Sequence, residues 1–126
     1  MRTVQLRQSV EVGPRDCATQ WGNDGLDVLS TPTILGTMER LCVEALAPTL
    51  QVGEMTVGTG VEMSHTAAAL LGESVIYHVE ASIDGRRIDV TFTVTGSDQT
   101  IISRGRHSRA TVDAERFKQK LGLLPA

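Results

Sequence analysis

Val4, Leu6, Val10 and Val12 alternate with polar neighbours near the N-terminus, the period-two pattern of a strand that buries one face. A polar, glycine-bearing loop follows, CATQWGNDGLD at residues 17–27, and then the period changes. In TPTILGTMERLCVEALAP, residues 31–48, Thr31 supplies a candidate N-cap, Pro32 suits the first helical position, and Pro48 ends the run. Advancing ~100° per residue from Ile34, the side chains of Met38, Leu41 and Ala45 lie within ~40° of it, while Cys42, Leu35, Leu46 and Val43 extend the apolar arc to about 180°. Glu39 falls at ~140°, inside that arc. A carboxylate so placed either reaches the rim of the buried face or is desolvated and requires a partner or a function.

Beyond the helix, residues 51–54 turn the chain and alternation returns. Met55, Val57, Val61, Met63 and His65 are predicted to share one strand face, with Gly58, Gly60, Glu62 and Ser64 on the other. Residues 74–83 are rich in β-formers, Asp84-Gly85 reads as a hairpin turn, 88–95 as the return strand, and a turn at 96–98 leads into a last strand at 100–112. Asp113 is placed to cap a short C-terminal helix that stops at Gly122. One long apolar helix and roughly five strands predict an α+β fold in which an antiparallel sheet wraps a central helix, residues 1–126 forming one domain. Few residues remain to cover the other sheet face or a free edge, so a homodimer is expected.

Composition narrows the partners. The 126 residues include 15 acidic and 12 basic side chains, a net charge of -3, with one Trp, one Tyr and two Phe. Nucleic-acid surfaces require basic excess and stacking platforms, so a nucleic-acid partner is not expected. The N-terminus alternates where a signal peptide would be apolar, and no apolar run is long enough to span a bilayer, so neither export nor a membrane partner is expected. Cys17 and Cys42 have neither metal nor redox spacing and are expected to be reduced, packed thiols in a cytoplasmic protein. No cluster has the ligand types of a metal site, and no cofactor is expected.

The polar residues on apolar faces remain to be explained. Glu39 and His65 are assigned independently to a helix face and a strand face that should meet, and Thr31 adds a hydroxyl at the start of the same helix. Arg86, Arg87, Arg104, Arg106 and Arg109 gather positive charge in the later strands; solvated faces account for most such arginines. His78 alternates with Ile76 and Glu80 and is expected at the surface. His107 shares a face with Arg109 and has no partner visible along the chain, so it is expected to be a packed residue without a role.

The order of Ser30-Thr31 before the helix, Met38-Glu39 within it, Cys42, residues 45–48, and then VGTGVEMSHTAA at 57–68 resembles the fluoroacetyl-CoA thioesterase family of hotdog-fold proteins. The likeness runs without a gap from Val28 to about Lys120, through GRR at 85–87, His107, Arg109-Ala110 and ERFKQK at 115–120. It implies a dimeric hotdog fold and hydrolysis of an acyl-CoA thioester, with CoA as part of the substrate. It also implies a catalytic triad of Thr31, Glu39 and His65, a Gly58 backbone N–H near the thioester carbonyl, and Arg109 near the substrate. Thioester hydrolysis needs a nucleophile or base, an oxyanion donor and a proton route, which these residue types supply. Two other activities suit the same fold: an enoyl-thioester hydratase or dehydratase, and a non-catalytic acyl-CoA binding module. One segment departs from the family. The stretch before the threonine, aromatic-rich in the fluoroacetyl-CoA enzyme, here reads GNDGLDVLS with only Trp21 nearby.

Overall fold

The computed structural model describes residues 1–126. In chain order the elements are β1 (Arg2–Glu11), α1 (Thr31–Leu46), β2 (Glu54–His65), β3 (Ser74–Asp84), β4 (Arg87–Gly96), β5 (Ile101–Asp113) and α2 (Ala114–Lys120). The strands form one antiparallel sheet in the order β1-β3-β4-β5-β2, leaving β1 and β2 as its edges. Helix α1 packs against one side of this sheet, touching β1, β2, β3 and β4.

Alternation decides which side chains meet the helix. On β3, Val75, Tyr77, Val79 and Ala81 are buried, and Val79 and Ala81 lie opposite Phe92 and Val90 of β4. Against this surface α1 buries Ile34, Met38, Leu41 and Leu46 completely. Truncating a residue so enclosed, such as Leu41→Ala, costs about 2–5 kcal/mol in lost transfer energy and residual cavity. Cys17 and Cys42 are both unpaired and buried. Burial pushes the Cys42 thiol up to about 11, Arg109 partly opposing the shift, so it is a packing group at neutral pH.

Three local features differ from expectation. The cap of α1 is Ser30, whose Oγ accepts from the Thr33 N–H at 3.3 Å; Thr31 is the first helical residue, and its hydroxyl is released from capping. In the β3–β4 hairpin Asp84 pairs with Arg87, so the two loop residues are Gly85 and Arg86. Gly85 has φ of 61°, the left-handed conformation that the first loop position of a type II′ turn requires. The third feature is a bulge in β2: Gly58 pairs with Arg109 and Gly60 with Ser108, leaving Thr59 unmatched.

Residues 17–27 are more ordered than a plain loop. Ala18–Trp21 forms a 3-10 turn, and single bridges tie Cys17 to Leu29 and Val28 to Leu70. At the other end Asp113 caps α2 as expected, accepting from the Arg116 N–H at 2.9 Å.

Candidate active site

The bulge at Thr59 controls what faces the helix. Because a strand alternates strictly, one extra residue exchanges its two faces. Thr56 and Gly58 before the bulge therefore point to the same side as Val61, Met63 and His65 after it, whereas uninterrupted alternation would put Met55 and Val57 there. Their partners on β5 are Thr111, Arg109, His107, Gly105 and Ser103, an inner row without one hydrocarbon side chain.

Arg109 stands at the centre of this row and is 5% exposed. Its Nε donates to Thr56 Oγ1 at 3.0 Å and its NH2 group to the Thr56 carbonyl at 2.9 Å. The NH1 group lies 3.2 Å from Glu39 Oε2 and 3.1 Å from His107 Nε2. Glu39 thus occupies the rim of the helix's buried face with its side chain 44% exposed, gripped from inside by a buried guanidinium. Gly58 makes this approach possible: a Cβ there would stand 2.9 Å from Glu39 Oε2 and 3.2 Å from His107 Cε1. Any side chain at 58 would displace the carboxylate or the imidazole.

His107 corrects the expectation of an unpartnered residue. It is buried, and its Nδ1 donates to the Gly60 carbonyl at 2.7 Å. Its Nε2 is also 3.8 Å from Glu39 Oε2, a separation longer than a hydrogen bond. Strand parity was the signal available in the sequence, but parity on β5 depends on a second register shift, between Val94 and Thr95 of β4.

Thr31 and His65 form a separate pair. The released Thr31 hydroxyl lies 2.8 Å from His65 Nδ1, near the surface of the chain. Glu39 bonds to neither, its hydrogen-bond partner being Arg109. The residues suspected from sequence therefore fall into two clusters, Glu39 with Gly58 and Arg109, and Thr31 with His65.

A cleft of about 290 Å³ opens on the first cluster, lined by Leu35, Glu39, Gly58, Thr59, Gly60, Val61 and His107. Trp21 lies outside this lining and is 61% exposed. A larger groove of about 650 Å³ carries charges of both signs from Glu62, Glu80, Arg87, Asp89 and Arg106. Arg86 donates to the Thr111 carbonyl at 3.1 Å and Arg87 pairs with Asp89 at 3.3 Å, while Arg104 and Arg106 are exposed. His78 is half-buried, its Nε2 2.9 Å from Gln5 Oε1 on β1.

The chain resembles known proteins over most of its length. A family described as fluoroacetyl-CoA-specific thioesterase matches residues 12–115. The fluoroacetyl-CoA thioesterase of Streptantibioticus cattleyicolor is 37% identical over 97 residues, 75% of this chain and 68% of that protein. A solved structure of a fluoroacetyl-CoA thioesterase superposes with a TM-score of 0.86 at 28% identity, covering 100% of this chain and 98% of the other. A hot-dog-like protein from Thermanaerovibrio acidaminovorans shares the fold, with a TM-score of 0.86 at 24% identity over 94% of this chain and 87% of its own.

Proposed function

Since the chain belongs to the fluoroacetyl-CoA-specific thioesterase family, we propose that it hydrolyses a small acyl-CoA thioester to free acid and CoA, using Thr31, Glu39 and His65. The observation that carries this reading is a half-exposed carboxylate, Glu39, clamped by buried Arg109 at the mouth of a cleft whose floor at Gly58 has no side chain. Such a group meets an acyl carbonyl without first having to be ordered. Glu39 either adds to the thioester carbon, expelling the CoA thiolate and leaving an anhydride for water to cleave, or removes a proton from the attacking water. In a single turnover in ¹⁸O-water, label in the Glu39 carboxylate marks an anhydride opened at the Glu39 carbonyl, and trapping the acyl-enzyme with hydroxylamine detects an anhydride opened at the acyl carbonyl. The Gly58 N–H is assigned to the developing oxyanion. With its N–H groups directed to Thr56, His107 and Glu39, Arg109 is assigned to orienting the carboxylate at the acyl end, not to binding CoA phosphates.

The working unit in this proposal is a homodimer of 126-residue hotdog domains in the cytoplasm. Two buried, unpaired thiols support a reducing compartment, and no helix is long and apolar enough to cross a membrane. Strand β2 is an open edge, and Val61 in the cleft lining and Val43, one helical turn beyond Glu39 on α1, are half-exposed, apolar surface that a second copy would cover. Side-chain pairing gives a further reason. Thr31 and Glu39 are eight residues apart on α1, about 12 Å along its axis. Within one chain Glu39 bonds to Arg109 and to neither Thr31 nor His65, an arrangement that a site drawn from two chains accounts for. In this proposal, antiparallel pairing of two β2 edges runs the Gly58 end of one strand toward the His65 end of the other and composes each site from two chains.

A panel of acyl-CoAs followed for free thiol and for hydrated or dehydrated product tests the reaction. Thiol release is expected. Tight CoA binding without turnover, or chemistry confined to carbon-carbon bonds, would exclude hydrolysis. Mixing inactive Glu39→Gln and His65→Ala chains tests the composite site, because each mixed dimer keeps one intact site and should recover about half of the wild-type rate. Mixed dimers as inactive as either parent would rule out a shared site.

A further inference from the structure

We propose that His107 is a positioning residue for Glu39, acting through the Arg109 guanidinium. Its tautomer follows from its neighbours. A backbone carbonyl can only accept, so the 2.7 Å contact with the Gly60 oxygen places the ring hydrogen on Nδ1 and leaves the lone pair on Nε2. That lone pair points at Arg109 NH1, 3.1 Å away. NH1 has two hydrogens, and Glu39 Oε2 at 3.2 Å takes the other. One guanidinium nitrogen is thus shared between a buried imidazole and the candidate catalytic carboxylate.

The guanidinium is planar and rigid, so its N–H directions are coupled. Thr56 holds the Nε and NH2 side, and His107 and Glu39 hold the NH1 side. Without the imidazole acceptor, a buried NH1 hydrogen loses its partner, and the group rotates or admits water to regain one. Rotation carries the bond to Glu39 with it. The carboxylate has no substitute, because Arg109 is its hydrogen-bond donor in the chain and the rest of it faces the cleft. His107 lies opposite Val61 on β2, beyond the bulge, so the feature that turns Gly58 inward also brings the Gly60 carbonyl within reach of the ring.

Two substitutions divide the imidazole's functions. Asparagine matches the Nδ1 half of the ring and can still donate to the Gly60 carbonyl, but offers Arg109 nothing. Glutamine reaches the Nε2 position with its carbonyl oxygen, keeping the acceptor and giving up the Gly60 bond. The expected result is that His107→Asn loses tenfold or more in kcat with KM within about twofold, whereas His107→Gln stays within about threefold of wild type. A role limited to anchoring the bulge predicts the reverse order. That order, equal loss in both variants, or near-wild-type rates in both would overturn the proposal.

The inference rests on the hydrolytic reading above, so a second measurement is independent of turnover and of whether a variant folds. The ¹⁵N spectrum of the His107 ring in the wild-type protein should show a protonated Nδ1 and a bare Nε2. The opposite tautomer would overturn the positioning role even if thiol is released. Absence of thiol release alongside the expected tautomer would sink the hydrolytic reading and, with it, the carboxylate's role, while leaving the hydrogen-bond geometry established.

Discussion

The two polar clusters beside α1 are built differently. Around Glu39 the chain supplies its own support: a buried arginine, a buried histidine, both oxygens of Thr56, and a glycine that leaves room. The pair of Thr31 and His65 is a single 2.8 Å contact near the surface. A polar group sealed in low dielectric must be fully partnered within its own chain, whereas one left open can wait for another molecule to complete it. The first cluster is preorganised by folding alone, and the second is left open at the surface.

Breaking the proposed reacting groups should have the largest effects. Glu39→Gln retains an oxygen to accept from Arg109, so the fold should survive while thiol release falls about a thousandfold. His65→Ala should lose about a hundredfold, with circular dichroism and solution mass unchanged. A folded Glu39→Gln enzyme with near-normal turnover would remove the carboxylate from the mechanism.

Next in size is the difference in stability between the clusters. Arg109→Gln leaves Thr56, His107 and Glu39 short of donors and should cost about 2–3 kcal/mol, read as a lower urea midpoint. Thr31→Ala should leave that midpoint within about 0.5 kcal/mol while reducing kcat. Ser30→Ala offers the complementary control: losing the cap of α1 should cost about 1 kcal/mol and should weaken thiol release less than Thr31→Ala does. If Thr31→Ala destabilises and Ser30→Ala does not, the assignment of cap and free hydroxyl is reversed.

Selectivity sharpens the comparison from the open side. Trp21 is exposed and outside the cleft lining, so no aromatic group from residues 17–27 closes on the acyl pocket within one chain. Fluoroacetyl-CoA should be preferred over acetyl-CoA by no more than about tenfold in kcat/KM, ~1.4 kcal/mol, once fluorine's activation of the carbonyl is allowed for. A corrected preference of several hundredfold would show that a gate is rebuilt by groups other than Trp21 of the same chain, or by rearrangement of residues 17–27.

The last effect is confined to alkaline pH and leaves neutral solution untouched. Because burial raises the Cys42 thiol to about 11 from 9.0, the unfolded chain ionises first. This contribution to stability is whole below about pH 9 and declines as pH rises through about 11, a loss of up to about 3 kcal/mol. Cys42→Ala should flatten that part of the profile, as urea melts at about pH 8 and about pH 11 would record.

The architecture was legible because each main element carries its own period. The apolar arc on α1 and the alternation of β3 and β4 are local patterns, and hydrophobic burial makes local pattern decisive for which face turns inward. Glu39 stood out for the same reason, as a carboxylate within an apolar arc. His107 did not. Its row on β5 runs Ser103, Gly105, His107, Arg109 and Thr111, and a row without hydrocarbon gives periodicity nothing to register.

What the sequence determined by itself is the set of elements, the helix face that is buried, and the residues whose chemistry is out of place there. Tertiary structure decided which of them meet. One unmatched residue at Thr59 exchanges the faces of β2, one shift after Val94 sets the parity of β5, and together they bring Thr56, Gly58, His107 and Arg109 under Glu39. A register is a property of two strands at once, fixed by the sum of pairings and packing across the sheet, so no single stretch of sequence carries it.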